Sequence, residues 1–87
     1  MVSFATVKQK LGGTLANFAE RIRALRKEKG LSQEEVGSVI GLKKYAVYSY
    51  EKGRACPDMR GLIALADYFN VSMDYLAGRT DNPDINR

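Results

Sequence analysis

The chain has 87 residues, with 14 Lys+Arg against 10 Asp+Glu, no His, no Trp and a single Cys. That length suits one small domain, and the absence of imidazole excludes His acid–base chemistry and His-type zinc sites. One thiol cannot close an intramolecular disulfide, so the chain fits a reducing, cytoplasmic setting. No apolar run approaches the ~20 residues that span a bilayer, and MVSFATVKQK places its basic residues after its apolar ones, the reverse of a secretory leader. The net charge of +4 is unevenly spread: residues 21–60 hold ten basic and five acidic side chains, whereas residues 61–87 are net acidic. A nucleic-acid partner would suit the central segment; a solvated basic face with no partner is the plainer reading.

Residues 1–13 read ambiguously as an N-terminal extension. Phe4, Val7 and Leu11 could share a helical stripe, Val2, Phe4 and Thr6 could mark a strand, and Gly12-Gly13 punctuates the join. From Leu15 to Lys29, Leu15, Phe18, Ala19, Ile22 and Leu25 fall on one helical stripe, which Gly30 ends. Arg21, Arg23, Lys27 and Lys29 are expected to face solvent. Ser32 with Glu35 three residues later forms a capping box opening a second helix to about Ile40, with Val36, Val39 and Ile40 inward. Gly37 inside that helix costs roughly 1 kcal/mol against Ala, which points to close approach by another backbone. Gly41 breaks it. A third helix runs from about Lys43 to Lys52 with Val47 and Tyr50 inward, its start weakly capped because Lys43 replaces Ser, Thr, Asp or Asn.

After Gly53 the loop Arg54-Ala55-Cys56-Pro57 follows, with Cys56 read as a half-buried small hydrophobe without a redox or metal role. Asp58 caps a fourth helix whose apolar face holds Leu62, Ile63, Leu65, Ala66 and Phe69, and Asn70 is a plausible left-handed stop. Ser72 caps a short fifth helix with Met73, Tyr75 and Leu76, ended by Gly78. Residues 79–87 form a polar tail, expected to be poorly ordered. The fold class is therefore all-α: a compact five-helix domain over residues 14–78.

Gln33 to Lys52, QEEVGSVIGLKKYAVYSYEK, is the most informative stretch. Two short helices meet at Gly41, with apolar residues at Val36, Ile40, Leu42, Val47 and Tyr50, the pattern of two helices crossing steeply over a tight turn. Gly37 permits the close crossing, and Gly41 supplies the positive φ of the turn.

Together with RIRALRKEKGLSQEEVGSVIG, YEKGRACPD and LIALADYFNVSMDYLAG, this stretch resembles the Cro/repressor-type helix-turn-helix family of phage and bacterial regulators, over roughly Leu15 to Gly78. The resemblance implies a five-helix bundle whose third helix enters the DNA major groove. It implies that Lys44, Tyr45, Tyr48 and Ser49 contact bases, that Gln33, Lys43, Lys52 and Arg54 contact phosphates, and that Arg26 and Glu51 form a structural ion pair. A Lys near the helix start would favour guanine O6 and N7. Tyr48 could touch a thymine methyl or bond a phosphate. Lys43 in place of the usual Ser or Thr cap, Gly37 in place of a common Ala, and the aromatic third helix all depart from the family's pattern, so a base code cannot be copied onto this chain.

The expected function is sequence-specific binding of double-stranded DNA by a transcriptional regulator, a repressor acting as a homodimer through the fifth helix or the N-terminal segment. An antitoxin-type regulator is the nearest alternative. A protein-interaction module that kept the fold but lost DNA binding is the other, and the cations of the third helix weigh against it. No enzyme activity, cofactor, metal or small-molecule ligand is expected, and no membrane partner.

Overall fold

The computed structural model describes residues 17–85, and among them the chain is entirely helical, with no strand. The readings of residues 1–13 and of Leu15 lie outside the described residues. The described part of α1 covers residues 17–28. It is followed by α2 (Gln33–Val39), α3 (Lys44–Glu51), α4 (Met59–Phe69) and α5 (Met73–Leu76).

Side-chain oxygens decide where three of these helices begin. Ser32 Oγ accepts from the Glu35 amide at 3.0 Å while Glu35 Oε1 accepts from the Ser32 amide at 2.8 Å, closing the capping box before α2. Asp58 accepts from the Gly61 amide at 2.8 Å before α4, and Ser72 from the Tyr75 amide at 2.9 Å before α5. Lys43 makes no such bond before α3. Asn70 ends α4 in the left-handed region at φ 57°, as its position suggests.

The α2–α3 turn is where the backbone is most constrained. Gly41 has φ +71°, and the Leu42 amide reaches back to the Gly37 carbonyl at 2.9 Å. A Cβ on Gly37 would stand 2.8 Å from the Leu42 carbonyl oxygen and 3.0 Å from that of Lys43. These are backbone atoms of the turn itself and cannot rotate aside. The glycine therefore lets the entry to α3 lie directly on α2, at the helix-propensity cost noted above.

Ile22, Val36, Val47, Leu65 and Leu76, one from each helix, are fully buried and form the centre of the core, with Phe18, Tyr50, Phe69 and Val71 around them. The rings of Phe18 and Tyr50 meet edge to face at 5.8 Å, joining α1 to α3. Ile63, expected on the inner face of α4, is 41% exposed. It lies two residues before Leu65, about 200° around the helix axis, and the buried arc is filled by Leu65, Ala66 and Phe69. Val39 and Ile40 are only half-buried, and Cys56 is exposed rather than half-buried because its loop runs over the surface.

Arg21 and the tail also differ from expectation. The Arg21 guanidinium is largely enclosed, with its side chain 18% exposed. It donates to the Tyr75 carbonyl at 2.6 Å, to the Thr80 carbonyl, and to Asp81 Oδ1 at 2.8 Å, and it lies 4.1 Å from the centroid of the Tyr75 ring. The Ser72 amide donates to the Pro83 carbonyl at 2.9 Å. Residues 80–83 are thus strapped along α5. Composition could not show this, because all but one of the acceptors, the Asp81 carboxylate, are backbone carbonyls whose availability depends on where the chain turns.

Gly37→Val should lower stability by about 1–3 kcal/mol through overpacking against the turn, read as a fall in thermal midpoint; a midpoint at or above that of the parent would show slack in the crossing. Arg21→Ala should speed amide exchange at Ser72 while leaving Val36 protected, and unchanged exchange at Ser72 would mean that the strap holds without its arginine.

Candidate nucleic-acid interface

The orientation of α3 follows from its two buried residues. Val47 is fully buried and Tyr50 is 5% exposed. Anchoring these positions three apart turns the opposite arc of the helix outward, and that arc carries Lys44, Tyr45, Tyr48, Ser49 and Lys52. Lys44, Tyr45, Tyr48 and Lys52 are exposed and Ser49 is half-buried. Lys43 and Arg54, at the two ends of the helix, are exposed as well. Five of the eight residues expected to contact nucleic acid therefore share the outward arc of α3, and two more, Lys43 and Arg54, are exposed beside its ends.

The start of α3 is electropositive. It has no side-chain cap and no acidic residue in its first turn, and Lys43 and Lys44 stand at the positive end of the helix dipole. The α2 start differs, since Glu34 and Glu35 occupy its first turn.

Gln33, the eighth residue, opens α2 and is half-buried. Its Nε2 donates to Glu51 Oε1 at 3.2 Å. Glu51 also takes a two-pronged bond from Arg26, Nε to Oε2 at 2.6 Å and Nη2 to Oε1 at 3.0 Å. The third donor of Arg26, Nη1, reaches the Leu31 carbonyl at 3.0 Å. The ion pair expected from the resemblance is present and well enclosed, with side chains 14% and 6% exposed. Its hydrogen bonds to Glu51 hold the Arg26 pKa above the ordinary guanidinium value, outweighing the opposing effect of burial. The link from Gln33 to this pair was not anticipated. An amide nitrogen carries two donors; one is used on Glu51, which orients the group.

A second feature was missed. The Tyr45 and Tyr48 rings stack at 6.1 Å between centroids and 27° between planes, and Lys52 Nζ lies 5.6 Å from the Tyr48 ring centroid. The spacing of three and then four residues on one helix was a signal for this contact.

No described helix is long and apolar enough to cross a membrane. Residues 22–76 match the family described as Helix-turn-helix. The chain is 37% identical over 67 residues to the uncharacterized HTH-type transcriptional regulator YobD of Bacillus subtilis, covering 77% of this chain and 60% of that protein. It is 36% identical over 64 residues to the cryptic phage CTXphi transcriptional repressor RstR of Vibrio cholerae, covering 74% and 58%. To the HTH-type transcriptional regulator ImmR of Bacillus subtilis it is 28% identical over 65 residues, covering 75% and 51%. The chain thus spans little more than half the length of these relatives. No solved structure gives a significant match.

Glu51→Ala should cost about 3–5 kcal/mol, because it leaves the enclosed Arg26 charge without its partner. The double variant Arg26→Met with Glu51→Leu should cost less than the two single changes together; additive losses in chemical denaturation would show that the two side chains do not act as a pair.

Proposed function

We propose that this chain, which belongs to the helix-turn-helix family, binds double-stranded DNA sequence-specifically and regulates transcription as a repressor. The observation that carries the reading is the outward arc of α3, where Lys44, Tyr45, Tyr48 and Ser49 share one face beyond a tight turn. On this reading α3 lies in the major groove, with Lys44 and Tyr45 nearest the base edges because they stand at its N-terminal end. Lys43, Lys52 and Arg54 neutralise phosphates on either side. Gln33 offers its remaining amide donor to a phosphate from a position set by Glu51. Repressors among the relatives, RstR by its printed name, support the sign of regulation.

The DNA-binding unit is taken as residues 14–78, with 1–13 as an extension and 79–87 as the tail. It acts as a homodimer in the cytoplasm, on half-sites about one helical turn apart. It performs no catalytic step.

Selection of bound duplexes from a random pool tests this directly, and a two-fold-symmetric consensus is the expected outcome. Affinity for random duplex should fall with salt at a slope near −3 per protomer, about −0.9 for each phosphate neutralised by Lys43, Lys52 and Arg54. Arg54→Ala should reduce that slope by about 1 without changing sequence preference, whereas Lys44→Ala should cost about 1–3 kcal/mol on the selected site and relax one position. A flat salt dependence would remove DNA from the reading.

A further inference from the structure

We propose that the Tyr45–Tyr48–Lys52 stack is a preformed reader of the thymine C5-methyl group, with Tyr45 as the contacting ring and Tyr48 as its positioning residue. The proposal rests on the DNA-binding reading and specifies which base feature that reading depends on.

The first support is what the outward arc of α3 lacks. Major-groove discrimination by hydrogen bonds relies chiefly on side chains that make paired contacts, Arg or Lys to guanine and Asn or Gln to adenine. The arc of Lys44, Tyr45, Tyr48, Ser49 and Lys52 holds no Arg, Asn or Gln, and Lys44 at its start can serve only guanine in this way. Ser49 offers a single-point contact only, so no side chain of the arc makes a paired contact to an A·T pair. The remaining contact type in the major groove is apolar, and its target is the thymine methyl.

The second support is the geometry of the rings. Tyr45 is 70% exposed and occupies the second position of α3, whereas Tyr48 is 36% exposed. Along the helix, Tyr48 stands between Tyr45 one turn before it and Lys52 one turn after it, in contact with both. Tyr48 therefore has less ring surface to offer a base than Tyr45, which is about twice as exposed. An isolated exposed Tyr would lose rotamer freedom on binding, and one already stacked on a neighbour has less to lose. Lys52 adds an ammonium over the π-face, on the side of the helix where the phosphate backbone would run.

The experiment uses the full chain and the duplex it selects from a random pool. Each thymine of the half-site is replaced in turn by deoxyuridine, which removes the methyl and keeps every hydrogen-bonding group. At one or two positions the affinity should fall about fourfold, the worth of one buried methyl at about 0.8 kcal/mol. Tyr45→Phe should keep this discrimination, and Tyr45→Ala should bind the thymine and deoxyuridine sites equally. Tyr48→Ala should shrink the difference without altering the salt slope. The proposal is overturned if the operator is still preferred over random duplex while every deoxyuridine replacement is neutral, or if Tyr45→Ala discriminates as the parent does. Recovery of no preferred duplex would overturn the DNA-binding reading itself, and this proposal with it.

Discussion

Arg26 and Glu51 lie 25 residues apart and join the last turn of α1 to the last turn of α3. An enclosed pair of charges is tolerated only when its hydrogen-bonding groups are satisfied, because the loss of solvation is otherwise several kcal/mol per ion. Here Arg26 is occupied by both carboxylate oxygens of Glu51 and by the Leu31 carbonyl, and Glu51 additionally receives Gln33. One network therefore touches α1, the α1–α2 connection, the first residue of α2 and the end of α3. The residues proposed to meet DNA are arranged around it, and a shift in α3 would break bonds in several elements at once.

Gly37 makes that arrangement sterically possible. Its bare Cα lets the carbonyls of Leu42 and Lys43 approach to distances that a methyl group would forbid. Its own carbonyl accepts the Leu42 amide that closes the turn. With the turn closed and Val47 and Tyr50 buried, the rotation of α3 about its axis is no longer free. The same apolar contacts that stabilise the domain thereby choose which polar side chains face outward. Fold and interface are coupled through two buried residues of an eight-residue helix.

The charge balance takes on a different meaning in this light. The basic surplus of residues 21–60 includes Arg21 and Arg26, and both are committed to internal partners. Asp81, part of the acidic C-terminal segment, is spent on Arg21. The exposed cations Lys43, Lys44, Lys52 and Arg54 that remain on and beside α3 are fewer than the count implied, but all four stand on that helix or within a few residues of its ends. Location, more than the net +4, is what suits the α3 surface to the proposed polyanionic partner.

Local signals in the sequence determined most of the helix boundaries. Ser32, Asp58 and Ser72 cap where their side chains are short enough to reach the next turn, Gly41 turns where a positive φ is needed, and Gly37 marks a close crossing. The Arg26–Glu51 pair was legible only through resemblance to a family, since nothing local links two residues so far apart. Other features depended on the assembled fold: Ile63 was left outside because the buried arc of α4 was already full, Arg21 was enclosed because carbonyls of α5 and the tail converge on it, and Gln33 was aimed at Glu51 because α2 and α3 meet there. Caps and turns are decided within four residues by backbone geometry, so a sequence can carry them unaided. Which side chains are occupied, exposed or aligned for a partner is decided by contacts between distant segments, and these exist only once α1, α2 and α3 have packed together.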